Sequence, residues 1–372
     1  MHVGMGTFFQ NPGRARSDAD VWRLGLELAG AAEGQGFDSV WSAEHHFTDY
    51  HMCPNVAQLL SWVAARTQRV QLGSMVMVLP WHDPVRLAEE VTVLDHMSGG
   101  RVLLGIGRGL GRVEFDGFRL EMGESRRRFT EYAHAILSAL ETGEMAYDGE
   151  FYHQPRLAIR PAPLCSFRGR VYASAISPET SRILAELGVG MMIIAQKPWE
   201  TIEADVAAYR ELYREINGEE APKPLLATWV AVHESQAAAD EMFERWIMGY
   251  CASTLVHYEF ANTALADIPG YEYYGKLAER IAKHGPETFS RFLAGLQIWG
   301  TPASVTEQIR ENVRRIDAAG VIGVFNYGGM PDDVARANIG LFADAVLPAL
   351  QGIDTGPPVG GPAPQAVSAA VR

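Results

Sequence analysis

The sequence predicts an α/β fold, a single (β/α)8 TIM barrel with insertions at the C-terminal face of its sheet, and three observations predict it. Short β-rich runs alternate with helical stretches from one end of the chain to the other. Eight such strand-then-helix units can be counted, the number that closes a parallel barrel. The 372 residues keep one composition throughout, 47% apolar and 21% charged, without the shift that would mark a second domain.

Taken in order, strands are expected at Val3–Phe9, Ser39–Ala43, Val70–Leu79 and Val102–Ile106, then at Val171–Ala175, Met191–Ala195, Leu225–Val232 and Gly323–Asn326. Helical patterns fill the intervals at Asp18–Gln35, Val56–Arg66, Val85–Met97, Ser125–Thr142, Glu179–Leu187, Trp199–Ile216, Gln236–Tyr250, Ser304–Ala319 and Asp333–Leu350. Asp83 before Pro84 reads as an N-cap with proline at the first helical position, and Ser98–Gly99–Gly100 as the stop of the same helix. Ser304 with Glu307 has the capping-box spacing, and Ala319–Gly320 reads as that helix's end. Residues 1–350 form the barrel unit, with insertions at about 147–163 and 261–296; the second is rich in Tyr and Gly and suits a lid over the barrel mouth. The Gly/Pro/Ala-rich stretch 351–372 has little to bury and is expected to be disordered.

With 32 basic and 45 acidic residues the net charge is −13, which repels phosphate backbones and anionic lipid, so neither nucleic acid nor a membrane surface is an expected partner. Cys53, Cys165 and Cys251 are odd in number and form no CxxC, as in a reducing cytoplasm. No apolar run of about 18 residues and no signal-peptide pattern stands in the sequence, and a cytoplasmic protein is expected.

A parallel barrel places its chemistry at the C-terminal ends of the strands. There the sequence has Glu44–His45–His46–Phe47, Gly105–Ile106–Gly107–Arg108–Gly109–Leu110–Gly111, Ser177–Pro178–Glu179–Thr180 and Asn326–Tyr327–Gly328–Gly329. The Gly-rich run is either a turn that needs positive φ or a place where backbone approaches a ligand, with Arg108 for a phosphate. It does not satisfy the dinucleotide fingerprint, because Leu110 stands where the third small residue belongs. Ser177 and Thr180 open a helix, where Ser177 either caps it or both face an anion; Arg126 adds charge from the preceding helix. Arg108, Arg126, Ser177 and Thr180 would then share one barrel edge. His45 and His46 point in opposite directions on an extended segment, so one faces the mouth. His82 is a second polar candidate; each histidine is either structural or a proton carrier near neutral pH. No metal-ligand spacing and no nucleophile elbow is present, and Cys53 has no activating context.

Together these segments resemble the bacterial luciferase-like, flavin-dependent monooxygenases, most of all the luciferase alpha subunit. The resemblance runs through GFDSVWSAEHHFTDY (Gly36–Tyr50), the stretch Leu72–Leu110 with LDHMSGGR and GIGRGL, VYASAISPET (Val171–Thr180) and WGTPASVTEQI (Trp299–Ile309), and so covers roughly residues 1–350. It implies a barrel that binds reduced FMN (FMNH2), supplied by a separate NAD(P)H-dependent flavin reductase. O2 then adds to give a C4a-(hydro)peroxyflavin that oxygenates a small hydrophobic substrate such as an aldehyde or ketone. It further implies a homodimer, acid/base work by His45, and a non-prolyl cis bond at Met75–Val76 beneath the flavin. Cofactor contacts are expected from Met75, Val76, Gly107, Arg108, Gly109, Leu110, Arg126, Ala175, Ser177 and Thr180. Met75, Met77 and Trp41 are expected to form a dry wall. Three positions depart from the luciferase pattern: Gly107 replaces a cysteine, Gly111 a tyrosine and Ile176 a glutamate. They alter the reacting end while the phosphate residues are kept. Two other readings are hydride transfer with a deazaflavin and a non-catalytic flavin-binding subunit.

Overall fold

The structure, a computed structural model of the chain, describes residues 1–174, 178–357 and 359–360. Its strands are β1 (His2–Thr7), β2 (Ser39–Ser42), β3 (Gln71–Ser74), β4 (Met77–Val78), β5 (Val102–Gly107), β6 (Glu144–Asp148), β7 (His153–Ala158), β8 (Val171–Ser174), β9 (Gly190–Ile194), β10 (Leu225–Val232), β11 (Ile298–Gly300) and β12 (Gly320–Val324). Parallel pairing runs β1–β2–β3–β5–β8–β9–β10–β12 and back to β1, which closes an eight-stave barrel. β4 continues the stave of β3, with Met77 opposite Ile106, and β11 adds to the end of β10 outside the ring. All of Leu225–Val232 is buried, as a strand covered by barrel core on one face and helices on the other must be. The helices present one apolar stripe to this sheet. In Pro302–Ile316, Val305, Ile309, Val313 and Ile316 recur at helical spacing and are buried, each worth roughly 1.5–3 kcal/mol of apolar burial.

The expected strands and helices are found with shifted limits. Asp83 caps Pro84–Ser98 by accepting the Arg86 N–H, and Gly99 ends that helix in the left-handed conformation. The helix read as starting at Ser304 begins at Pro302 instead, because Thr301 accepts the Ser304 N–H. It also ends earlier than Ala319–Gly320: Asp317 turns left-handed at φ 45°, so the chain enters β12 at Gly320 rather than Gly323. The third stave is not continuous from Val70 to Leu79; β3 and β4 flank the cis Met75–Val76 peptide, which stands where the resemblance placed it. The first insertion is the antiparallel β6–β7 hairpin, which begins at Glu144. The second is helical, at Glu272–His284 and Pro286–Ala294.

The C-terminal stretch packs for longer than its composition suggests. The Met1 amine donates to Ile353 O, Thr355 Oγ1 to Ala319 O at 2.8 Å and Gln71 Nε2 to Val359 O at 2.9 Å. These contacts, with a buried Val359, lay residues 353–357 and 359–360 across the N-terminal end of the barrel. Residues 361–372 lie outside the described residues. The same end is braced by Arg170, whose Nη1 donates to Asp95 Oδ1 at 2.8 Å and to Gly100 O and Val102 O at 3.2 Å. Among the described residues no helix is long and apolar enough to cross a membrane.

Candidate active site

The C-terminal ends of the staves enclose a cavity of about 390 Å3, within the size range of small-molecule sites. Four places in the sequence that were singled out meet there: Glu44–His45 after β2, Met75 and Val76 before β4, Gly107–Leu110 at the end of β5, and Thr180. Ala175 and Ser177 lie outside the described residues. Gly107 has a steric reason: a Cβ there would stand 2.5 Å from Val76 Cγ2, so Val76 packs against bare backbone. Gly109 does adopt positive φ, at +80°, so the Gly-rich run is both a turn and a cavity wall.

One edge of the cavity is cationic. Arg108 comes from the loop after β5 and Arg126 from the first turn of helix Ser125–Thr142. Their guanidinium groups converge on a single carbonyl: Nη2 of Arg108 donates to Gly270 O at 2.9 Å and Nη2 of Arg126 at 3.4 Å. Gly270 belongs to the second insertion, and the next residue fastens it. The Tyr271 ring lies 4.0 Å beneath the Arg108 guanidinium, its hydroxyl donates to Gly109 O at 2.9 Å and stands 2.8 Å from Ser125 Oγ. The insertion thus closes over the cavity and brings Tyr273, Tyr274 and Lys276 to its wall. Two guanidinium groups this close present several N–H donors of the kind that make charge-assisted bonds, with the Glu272 carboxylate also on the cavity wall.

His45 occupies a different setting. Its Nδ1 lies 2.9 Å from Glu114 Oε1 and its Nε2 3.3 Å from the Tyr258 hydroxyl, and all three residues line the cavity. Glu114 is fully buried and also accepts the His46 N–H at 2.8 Å. Burial alone would raise its carboxyl, but His45 and His257 beside it prevail and bring it down to about 2. An ionised Glu114 accepts only, so His45 carries its proton on Nδ1 and keeps Nε2 on the Tyr258 side. Burial lowers the His257 imidazole against the pull of Glu114. Gly111 makes room for this group: a Cβ would fall 2.3 Å from Glu114 Oε2, so the tyrosine of the luciferase pattern has no space at this position.

His46 does point away from His45, to Glu44 Oε1 at 3.0 Å. Glu44 also takes His82 Nε2 at 2.8 and 2.9 Å and the Val78 N–H at 2.8 Å. Burial works against its charge, but His82 and these bonds hold the carboxyl below its ordinary value; in return Glu44 raises His82 in spite of burial. His82 therefore sits behind Glu44 and does not line the cavity, which corrects its expected place at the reacting centre. Trp41 and Met77 are also displaced from the expected wall. Both are buried in the barrel, Trp41 Nε1 donating to Ser39 Oγ at 2.7 Å, and the apolar wall is made by Met75, Val76, Val78, Trp81, Leu110 and Met192. Burial pushes the Cys53 thiol up to about 12, which removes it as a nucleophile.

Glu114, His257 and Tyr258 escaped the reading of the sequence. Glu114 stands three residues beyond the Gly-rich run on a seven-residue helix, Arg112–Phe118, too short for a periodicity signal. His257 and Tyr258 lie beyond Tyr250, the end of the helical pattern in the sequence; the helix runs through a π-turn at Phe243–Ile247 and on to His257.

Comparison with known proteins agrees with this architecture. The alkanal monooxygenase alpha chain of Photobacterium leiognathi is 28% identical over 358 residues, covering 92% of this chain and 97% of its own. Two solved structures share the fold. The oxygenating constituent of the 3,6-diketocamphane monooxygenase of Pseudomonas putida, solved with FMN, has a TM-score of 0.71 at 18% identity over 94% of this chain and 98% of its own. An F420-dependent secondary alcohol dehydrogenase, solved with an F420–acetone adduct, has a TM-score of 0.68 at 16% identity over 94% and 98%. The family profile described as luciferase-like monooxygenase matches residues 1–318, the span that holds every stave but the last, β12, and by that match the chain belongs to the luciferase-like monooxygenases.

Proposed function

We propose that the chain is the oxygenating component of a two-component system. It would take reduced FMN from a separate NAD(P)H-dependent flavin reductase and use O2 to oxygenate a small hydrophobic aldehyde or ketone, acting as a cytoplasmic homodimer. The observation that carries the reading is the convergence of Arg108 and Arg126 on Gly270 O in the same cavity that His45 lines. The residues present fit the cofactor: paired guanidinium groups and the buried Thr180 hydroxyl for a phosphate, and side-chain-free backbone at Gly107 with Val76 for a flat ring system.

In this reading Arg108, Arg126 and Thr180 hold the phosphate, and Met75, Val76 and Gly107–Leu110 bed the rings. Bound there, reduced flavin supplies the activation of O2. The apolar wall around Trp81 and Met192, closed by the insertion at Gly270–Lys276, keeps water from the reacting end. His45 exchanges a proton at Nε2, while Glu114 holds its Nδ1–H and stabilises the imidazolium when it forms. Tyr258 stands 3.3 Å from that nitrogen and can hand the proton on.

The test mixes the chain and reduced FMN with O2 and a panel of hydrophobic aldehydes and ketones, following O2 uptake against free peroxide. The expected result is O2 uptake matched by oxygenated product for at least one substrate, with little peroxide. O2-independent turnover of a deazaflavin would replace this reading by hydride transfer. Complete loss of O2 to peroxide with every substrate would leave a flavin-binding subunit without catalysis of its own.

A further inference from the structure

We propose that His45, Glu114 and His257 bind one first-row divalent cation of the Zn2+ class. Donor atoms of the three residues lie within 4.8 Å of one another. Glu114 Oε1 is already engaged by His45 and by the His46 N–H, yet Oε2 has no hydrogen-bond partner among the described residues, and neither has His257 Nε2. The two atoms face each other at 3.6 Å, too far for a hydrogen bond, on side chains that are 0% and 1% exposed. Leaving such groups unmet costs about 1–3 kcal/mol each. Two ligands held about 2.1 Å from one tetrahedral ion stand roughly 3.4 Å apart, close to this separation.

The surroundings are arranged as ligands require. Thr48 Oγ1 lies 3.2 Å from His257 Nδ1 and, by accepting an Nδ1–H, would leave Nε2 for a cation, and the His46 N–H fixes the carboxylate. The Tyr50 ring stacks on His257 with centroids 4.3 Å apart. His51, also adjacent, is fully used: Nδ1 accepts the Phe9 N–H at 2.9 Å and Nε2 pairs with Ala43 O at 3.0 Å. The bare Gly111 keeps the space between the unmet atoms open, since a Cβ would stand 2.3 Å from Oε2 and 3.2 Å from Nε2. Two imidazoles and one carboxylate suit Zn2+ or Co2+ rather than Mg2+ or Ca2+, and leave a fourth position open on the cavity side. Such an ion would occupy a nitrogen of His45 and silence it as a proton carrier. That inhibitory consequence rests on the function proposed above; the binding itself does not.

The test titrates the chelator-treated, flavin-free full chain with Co2+, reading visible d–d absorption, and with Zn2+ by calorimetry. One equivalent is expected to bind, undisturbed by excess Mg2+. His257→Gln removes a ligand, and Gly111→Ala keeps all three ligands but fills the space; each is expected to weaken binding at least about 100-fold. The exposed His153→Gln is expected to leave it unchanged. Absence of a saturable band in the unmodified chain, as when a water bridges the two atoms, would overturn the proposal, and so would an affinity in both variants equal to that of the unmodified chain. Should either variant fail to fold by circular dichroism, X-ray absorption of the Zn2+-loaded unmodified chain decides: two imidazole scatterers are expected, and none or one overturns the site. No flavin is present in these measurements, so their failure leaves the flavin reading standing.

Discussion

Replacing Arg108 by alanine separates recognition of a phosphate from recognition of a ring. Of the five N–H donors of its guanidinium, one makes a 2.9 Å bond to Gly270 O and another only a 3.4 Å contact to Ser125 Oγ, so donors remain for a ligand. A charge-assisted bond to an anion contributes about 1.5–3 kcal/mol, which corresponds to a loss of roughly 10- to 150-fold in FMN affinity. Riboflavin has the same rings without the phosphate. It would lose only what the looser insertion costs, and that is small because Tyr271 stays fixed by its bonds to Gly109 O and Ser125. The assay is anaerobic calorimetry of both reduced ligands on the unmodified chain and the variant, with Arg108→Lys keeping the charge but not the planar fork. An equal fold-loss for FMN and riboflavin would refute the phosphate assignment.

Gly107→Ala drives a Cβ to 2.5 Å from Val76 Cγ2 and is expected to destabilise the chain by about 1–3 kcal/mol in urea unfolding. Val76→Ala in the same chain should recover most of that, and strict additivity would show that the contact is not the cause. Asp95→Ala leaves the buried Arg170 guanidinium without its carboxylate and should cost about 3–5 kcal/mol, read as a lower urea midpoint with unchanged flavin affinity, because the pair sits at the opposite end of the barrel. The Glu114 carboxyl is depressed from 4.5 to about 2, so its contribution is present above pH 4.5 and lost as pH falls towards 2. Between pH 6 and pH 3 the unfolding free energy should therefore fall more steeply for the unmodified chain than for Glu114→Gln, by at most about 2 kcal/mol; parallel curves would contradict the assigned ionisation. His82, raised by Glu44, contributes in the reverse sense: fully below about pH 6.5, and lost as pH rises through its folded value, a loss that His82→Gln should abolish.

Much of this was legible in the sequence because the barrel repeats one local rule. Leu225–Val232 reads as a strand at both its limits, and Asp83–Pro84 and Gly99 mark their helix, since an unbroken apolar run, a cap and a left-handed glycine are all local signals. Limits failed where a tertiary contact decided them. Asp317 rather than a glycine takes the left-handed position, which moves β12 by three residues, and Gln71 and Ala319 recruit a tail whose composition alone offers little to bury. In the site, Arg108, Arg126, His45 and Thr180 were visible because each stands near a strand end or a helix start. Glu114 and His257 were not, because their role exists only through contacts 69 residues and more than 200 residues away in sequence. His82 was misplaced because position along a strand does not show that Glu44 stands between it and the cavity.

In the proposed function one cavity holds the phosphate of a reduced flavin between Arg108, Arg126 and Thr180 while its ring system lies against Met75–Val76. A crystal structure of the chain soaked with FMN measures this directly. Phosphate density is expected within hydrogen-bond distance of both guanidinium groups, and ring density over the Met75–Val76 bond, within reach of His45. Flavin density elsewhere, or a phosphate turned towards Glu114 with the rings on the arginines, would contradict it.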